Sequence, residues 1–190
     1  MTIARSWPIA LLLLGATALN ACSSREVAPM APLTSNVTID LERYMGVWHV
    51  IANIPYFAEN GKVASRDVYR LDADGNVETQ YVYRKGFGEP EKSLHSLGIV
   101  QPGSSSAYWV VRFLWLIRAD YLVVDIAPDY SWVLVGQPSR KLGWILARTP
   151  AVDDALYTML LDRFRTCGYD PARFRRVPQF AADVGKPGYQ

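Results

Sequence analysis

The sequence predicts an all-β fold, an eight-stranded up-and-down antiparallel β-barrel with one C-terminal α-helix packed on its outside. Its first support is a series of short apolar runs, several of them alternating with polar residues and separated by loops rich in glycine, proline and aspartate. The second is a change to helical spacing after the last run. The third is composition, since half of the 190 residues are hydrophobic, which is ample for one core. A meander of this kind removes its open edges by closing into a barrel.

Each β-type run ends at a turn signal. Pro55 ends the first run, and segments 72–76 and 101–106 contain glycine, which adopts the positive φ angles of tight hairpin loops. Short connections of this kind make neighbouring strands antiparallel. The predicted strands are Tyr44–Ile54, Arg66–Leu71, Val77–Arg84, Ser93–Val100, Ala107–Trp115, Tyr121–Ile126, Tyr130–Val135 and Leu142–Arg148.

The segment Asp153–Cys167 is predicted to be a helix, because its apolar residues recur every three or four positions. Aspartates in its first turn and arginines in its last complement the helix dipole, and Gly168 suits the position after the helix. A single apolar stripe predicts packing against the outside of the barrel. A short extended segment, Asp170–Val177, follows. We expect residues 37–180 to form the folded domain and 181–190 to form a loose tail.

The first 21 residues are predicted to be a signal peptide rather than part of the fold. Arg5 precedes the apolar run Ile9–Leu14, which is too short to cross a bilayer. The segment Leu19-Asn20-Ala21-Cys22 is similar to the lipobox of bacterial lipoproteins, in which the cysteine is acylated and becomes the first mature residue. An ordinary signal peptide with an incidental cysteine is the alternative.

This similarity implies that acylated Cys22 anchors the mature chain, and Ser23 after the cysteine implies the outer membrane. Acyl chains bind a bilayer with about 0.8 kcal/mol per buried CH₂ group. Residues 22–36, rich in Ser, Ala, Pro and Thr, are predicted to be a flexible tether. We therefore expect a lipid-anchored protein of the cell outer membrane that faces the periplasm.

Charge, cysteine content and motifs argue against several functional classes. The formal net charge is only +2 and dispersed, which does not favour nucleic acid as a partner. Cys167 has no partner once Cys22 is acylated, so no disulfide is expected. The sequence contains no HExxH, GxSxG, CxxC or P-loop pattern, and it predicts no catalytic residues, metal site or cofactor. A binding protein is expected rather than an enzyme.

Gly46, Trp48 and Arg148 are predicted to form the floor of the barrel. Residues two apart in a strand share a face, so Gly46 and Trp48 point the same way. If the first and eighth strands are neighbours, the Arg148 guanidinium can stack on the Trp48 ring, a cation–π contact of roughly 0.5–2 kcal/mol. For either residue alone, the alternative is a buried tryptophan of any β-protein or a surface arginine.

The barrel pattern, the Gly-x-Trp of the first strand, the final arginine and the flanking helix together resemble the lipocalins. The match is closest to the bacterial outer-membrane lipoprotein lipocalins. It is carried by Tyr121–Arg140 and by Trp144-Ile-Leu-Ala-Arg-Thr-Pro150 behind the lipobox, and it covers Leu41–Val177. In the loop between strands six and seven, Ile126-Ala127-Pro128 replaces the Thr-Asp-Tyr of many lipocalins, so no docking role is assigned to that loop.

The resemblance implies a protein that binds and carries or stores apolar lipids, fatty acids or lysophospholipids, at the outer membrane. It also implies a role in envelope maintenance under stress, and a homodimer is compatible with it. Two alternatives stay open. One is a structural or adhesion lipoprotein with a filled barrel, and the other is a small-molecule enzyme on the same barrel, for which His95 is the only histidine on a suitable strand.

An eight-stranded barrel has room for one small ligand, and strand alternation predicts which side chains line that space. If Trp48 and Arg148 point inward, their alternate neighbours do as well. Tyrosines of strand three alternate with the polar residues Glu78, Gln80 and Arg84, and strand four offers small side chains. The orientations of Trp109, Arg112 and Trp132 are left open. The candidate cavity residues are Val50, Ala52, Tyr81, Tyr83, Ser96, Gly98, Val100, Trp144 and Leu146.

The apolar segment Leu114–Arg118 lies between strands five and six. We expect it either at the mouth of the barrel, as a membrane or partner contact, or folded back onto the barrel.

Overall fold

A computed structural model of the chain describes residues 30–113 and 117–190. Residues 31–190 form one compact unit. The predicted signal peptide, Cys22 and the first part of the tether lie outside the described residues, and so do Leu114, Trp115 and Leu116 of the apolar segment.

Eight antiparallel strands form a closed barrel, which confirms the predicted fold. Each strand pairs with the next along the chain, and β1 pairs with both β2 and β8, so the sheet has no open edge between them. Most observed boundaries lie within three residues of the predicted ones. The strands are β1 Gly46–Asn53, β2 Val63–Leu71, β3 Val77–Arg84, β4 Lys92–Val100, β5 Tyr108–Phe113, β6 Ile117–Ile126, β7 Trp132–Gly136 and β8 Gly143–Ala147.

In the described part of the chain, two α-helices, two short 3₁₀ helices and a ninth strand accompany the barrel. A one-turn helix, α1, spans Leu41–Tyr44 before β1 and was not predicted. The predicted helix is α2, Asp154–Thr166, and the Asp153 side chain caps it by accepting a hydrogen bond from the Leu156 backbone N–H at 2.7 Å. The short strand β9, Arg175–Arg176, pairs with β1 beyond the end of its ladder with β2.

The apolar residues form two clusters, one on each side of the barrel wall. The inner cluster fills the barrel and includes Trp48, Tyr69, Trp109 and Leu146. The outer cluster lies between the wall and α2 and includes Leu160 and Phe164 of the helix together with residues of β7 and β8. The helix therefore packs on the outside of the barrel, as its single apolar stripe predicts.

A β-bulge between Val50 and Ala52 interrupts the alternation of β1. Val50 belongs to the inner cluster, whereas Ile51 and Ala52 both belong to the outer one. The extra residue of a bulge shifts every following side chain to the opposite face. Unbroken alternation predicts Ala52 to be a cavity residue, and this prediction is wrong. The bulge turns Ala52 outward, into the cluster beneath α2.

Residues 181–190, for which we expect a loose tail, bond back to the barrel. The Arg176 N–H donates to the Gly188 carbonyl at 2.9 Å, and the Gln190 N–H donates to the Arg176 carbonyl at 3.0 Å. The end of the predicted tether is also bonded, since the Leu33 N–H donates to the Pro138 carbonyl at 3.0 Å. Within residues 30–113 and 117–190, no helix has the length and apolar character that crossing a membrane requires.

Candidate functional site

The floor of the barrel is formed by Trp48, Arg148 and the turn of α1. The Trp48 side chain is fully buried, and its Nε1–H donates to the Tyr44 carbonyl at 2.8 Å. The Arg148 guanidinium carbon lies 3.8 Å from the centroid of the Trp48 ring. Its Nη1 donates to the Val47 carbonyl at 2.9 Å and its Nη2 to the Arg43 carbonyl at 2.7 Å. The arginine thus joins the end of β8 to α1 and β1 while covering the indole.

Gly46 fits this floor for two reasons. Its φ angle is +98°, a backbone conformation that glycine adopts without the strain a side chain would bring. A Cβ atom at this position would also lie 3.4 Å from Nη1 of Arg148. Glycine at position 46 therefore lets the arginine lie against the start of β1.

Stacked aromatic rings fill the lower half of the barrel, above this floor. The rings of Trp109 and Tyr121 are parallel with centroids 4.5 Å apart, and the Tyr44 ring meets Trp109 edge to face at 5.3 Å. Tyr69 packs against the same rings and is 2% exposed. The lower half is thus a packed aromatic core rather than ligand space.

The hydroxyls of this core form a hydrogen-bonded chain that ends at Asp67. Tyr69 donates to Asp67 Oδ2 at 3.0 Å, and its oxygen lies 3.0 Å from the Tyr121 hydroxyl, which lies 2.6 Å from that of Tyr44. Burial raises the pKa of each tyrosine well above its ordinary value, so all three hydroxyls keep their protons. Because Tyr69 uses its proton on Asp67, Tyr121 donates to Tyr69 and Tyr44 to Tyr121, and all three protons point towards the carboxyl group.

Asp67 is an acidic group inside the barrel. Burial, and to a smaller extent the nearby Glu59 carboxylate, raise its pKa to about 7 against the opposing effect of the Tyr69 hydrogen bond. Within the described residues no lysine or arginine forms an ion pair with it. Asp67 therefore changes charge near neutral pH.

A second carboxyl group, Glu59, is held at the upper end of the barrel by the segment that joins β1 to β2. It accepts hydrogen bonds from Asn53 Nδ2 at 2.6 Å, from Trp144 Nε1 at 2.9 Å and from the Tyr56 hydroxyl at 3.1 Å. Burial raises its pKa, and these three donors partly compensate. The hydrogen bonds fix Glu59 against the barrel wall.

Lys62 lies beside Glu59, over the stacked rings of Tyr81 and Tyr83. Its Nζ atom is 3.5 Å from the Tyr83 ring centroid and 4.9 Å from that of Tyr81. Burial lowers the pKa of this lysine, and the nearby Glu59 carboxylate opposes that effect. Lys62 therefore places a cation beside the buried Glu59 carboxyl group at the upper end of the barrel.

Side chains between the aromatic core and this upper end keep some accessible surface, which indicates an internal space. Asp67 and Tyr121 point into the barrel, yet both are only partly buried. Tyr81, Ser96 and Trp144 are also partly accessible. We call this space the upper chamber, and these five residues define it.

The other predicted cavity residues lie around the chamber with less exposure. Val50 and Leu146 are buried in the inner cluster, and Tyr83 stacks on Tyr81. Gly98 faces Trp109, since a Cβ atom there would lie 3.4 Å from the indole ring. Because Gly98 has no side chain, the indole ring of Trp109 packs close to its backbone.

The structure also orients the side chains that the sequence left open. Trp109 points into the barrel, whereas Trp132 belongs to the outer cluster beneath α2. Arg112 and His95 line an open groove of about 500 Å³ on the outer face of β2–β5. His95 therefore lies outside the barrel and gives no support to an enzyme with a histidine in its interior. No cluster of His, Cys, Asp and Glu within the described part of the chain is arranged to hold a metal ion.

Asp67 and Glu59 are not among the site residues predicted from the sequence. Asp67 could have been found, because Arg66 and Arg70 mark the outer face of β2 and place Asp67, Tyr69 and Leu71 on the inner face. Glu59 carries no such signal, since it lies in an irregular segment without periodicity.

Comparisons with known proteins agree with the barrel. A family model described as a lipocalin-like domain matches residues 39–179. Temperature-induced lipocalin-1 of Arabidopsis thaliana is 35% identical over 153 residues, which cover 74% of this chain and 80% of the relative. Outer membrane lipoprotein Blc of Escherichia coli is 29% identical over 168 residues, which cover 84% and 89%.

Solved structures show the same fold at low sequence identity. A lobster apocrustacyanin superposes with a TM-score of 0.61 at 13% identity, over 82% of this chain and 95% of that one. The cockroach allergen Per a 4 superposes with a TM-score of 0.59 at 18% identity, over 76% and 91%. The family match over most of the folded region, the closed barrel and the Trp48–Arg148 floor lead to one conclusion: the chain belongs to the lipocalin family.

Proposed function

We propose that the protein binds apolar lipids, fatty acids or lysophospholipids, in the upper chamber and carries or stores them at the bacterial outer membrane. The observation that carries this proposal is the partly accessible surface of Tyr81, Tyr121 and Trp144 above a filled floor. Apolar surface of a ligand buried there contributes about 25 cal/mol per Å². The protein acts as a carrier and not as an enzyme.

The aromatic core limits where such a ligand lies. Trp109, Tyr121 and Tyr44 occupy the lower half, so an acyl chain has room only above them. This partial filling distinguishes the proposal from a structural lipoprotein, whose barrel would be filled throughout. A bulky side chain in the upper chamber should therefore compete with the ligand.

We expect Ser96→Trp to weaken binding of a lysophospholipid or a fatty acid at least about tenfold, because the indole would occupy the chamber. Leu97→Trp is the matched control, since Leu97 is the next residue of β4 and its side chain lies on the opposite face of the strand. Isothermal titration of the full chain carrying Cys22→Ala, supported by mass spectrometry of co-purified lipid, measures both. Thermal melts of the two variants check that each is folded.

Equal affinities of the Ser96→Trp and Leu97→Trp variants would contradict binding in the upper chamber. A chain that carries no lipid and binds neither probe would overturn the carrier function itself. In that case the filled-barrel alternative becomes the better description.

Anchoring through acylated Cys22 makes a separate prediction. It rests on the Leu19–Ser23 pattern and on the similarity to relatives named outer membrane lipoprotein. Replacing Cys22 by alanine should move the protein from the outer-membrane fraction to the soluble fraction, since several acyl chains supply most of the attachment. Fractionation of wild type and variant tests it, and a Cys22→Ala chain that still sediments with the outer membrane would exclude the acyl anchor.

Two further expectations from the sequence, a role in envelope maintenance under stress and the formation of a homodimer, stay predictions.

A further inference from the structure

Asp67 presents a free hydrogen-bond acceptor to the upper chamber. Its Oδ2 atom accepts from Tyr69, whereas Oδ1 accepts from no residue that the structure describes. Asp67 also keeps accessible surface, although protein surrounds it. A carboxyl oxygen in this position is satisfied only by water or by a donor on a ligand.

The surroundings of Asp67 favour positive charge. Tyr121 and Tyr81 are partly accessible in the chamber, and aromatic rings attract cations. Glu59 is close enough to raise the pKa of Asp67, so the two carboxyl groups reinforce one negative potential. Lys62 lies at this end, over Tyr83 and beside Glu59, and among the described residues it forms no ion pair with Asp67.

We propose that the upper chamber selects apolar ligands that carry a protonated amine, which pairs with Asp67, over ligands that carry a carboxylate at that position. The inference rests on the proposed lipid-binding function and names the head-group chemistry of the same site. The amine N–H donates to Asp67 Oδ1, and the surrounding rings complete a cation-binding site. A fatty acid instead keeps its carboxylate away from Asp67, near Lys62 at the open end, and its binding is weaker.

The test uses three probes of equal chain length: dodecylammonium, dodecanol and dodecanoate. Each is titrated, as monomer, into the full chain carrying Cys22→Ala at about pH 9, where Asp67 is ionised and the alkylamine is still protonated. The amine should bind at least about tenfold more tightly than the carboxylate. In Asp67→Asn this preference should fall to within about threefold, while dodecanol binding is unchanged.

Two further variants separate charge from folding. Asp67→Glu retains the negative charge and should keep the preference for the amine. Asp74→Asn removes an exposed carboxyl group of the β2–β3 loop and should leave the preference as in wild type. Lowering the pH to about 5.5 should reduce the preference more in wild type than in Asp67→Asn. Glu59, whose pKa burial also raises, is present in both proteins, and the tyrosines that face Asp67 stay protonated throughout.

The outcomes distinguish this inference from the proposed function. If the wild type bound the amine and the carboxylate with about equal affinity, or if Asp67→Asn kept the preference for the amine, the proposed role of Asp67 would be overturned. Dodecanol binding would still support lipid carriage. Failure of all three probes to bind would overturn both.

Discussion

Replacing Trp48 by alanine should lower the free energy of unfolding by about 3–5 kcal/mol, as expected for a large buried aromatic side chain. Trp48 is fully buried, its ring centroid lies 5.2 Å from that of Tyr44, and it carries the Arg148 guanidinium on its face. The change leaves a cavity at the floor and removes the surface on which the arginine stacks. Urea unfolding of the full chain carrying Cys22→Ala measures the loss, and the thermal midpoint should fall with it.

Val47→Ala is the matched control for this prediction. Val47 is the preceding residue of β1, points outward and is 41% exposed, so its truncation should change the unfolding free energy by no more than about 0.5 kcal/mol. If Trp48→Ala destabilised the protein no more than Val47→Ala does, Trp48 would not support the floor.

Regular alternation explains why so much of the barrel is predictable from sequence. In β3, Tyr81 and Tyr83 alternate with Gln80 and Arg84 apart from Val82, and both predicted ends, Val77 and Arg84, are the observed ones. The helix α2 begins one residue later than predicted because Asp153 is its cap. Where hydrophobic period and turn chemistry agree, they define the element and the face that it buries.

Local irregularity explains what the sequence does not predict. The bulge after Val50 moves Ala52 to the outer cluster, and no residue in the run Val50-Ile51-Ala52 is polar enough to reveal the change of face. Glu59 reaches the barrel through an irregular segment whose path depends on its three hydrogen-bond donors. Both departures affect the upper end of the barrel, where the proposed ligand lies.

Removing the Asp67 carboxyl group should stabilise the protein above neutral pH. Its pKa is 3.8 in an unfolded chain and about 7 in the barrel, so between these values the folded state holds a proton that the unfolded state releases. The wild type therefore loses stability as the pH rises from about 4 to about 7. At about 1.4 kcal/mol per pH unit, the loss is a few kcal/mol and at most about 4 kcal/mol.

Urea unfolding of wild type and Asp67→Asn, both carrying Cys22→Ala, measures this effect at about pH 4.5, 6 and 8. The difference between the two should shift progressively in favour of Asp67→Asn as the pH rises, whereas Asp74→Asn should follow the wild type. Glu59 titrates in both proteins, so its contribution cancels to first order in the comparison. A wild-type to Asp67→Asn difference that stays constant with pH would show that Asp67 does not carry the raised pKa.

The effects of Asp67→Asn on stability and on ligand preference together show whether the carboxyl group serves folding or binding. A carboxyl group that stabilised the fold would leave the protein less stable when replaced, because Tyr69 would lose its acceptor. A variant that is more stable at about pH 8 and has lost its preference for the amine shows that Asp67 serves ligand binding at the expense of stability. The free energy that the fold gives up to keep Asp67 ionised is then recovered when a cationic group enters the chamber, since the ligand supplies the charge that the protein lacks there.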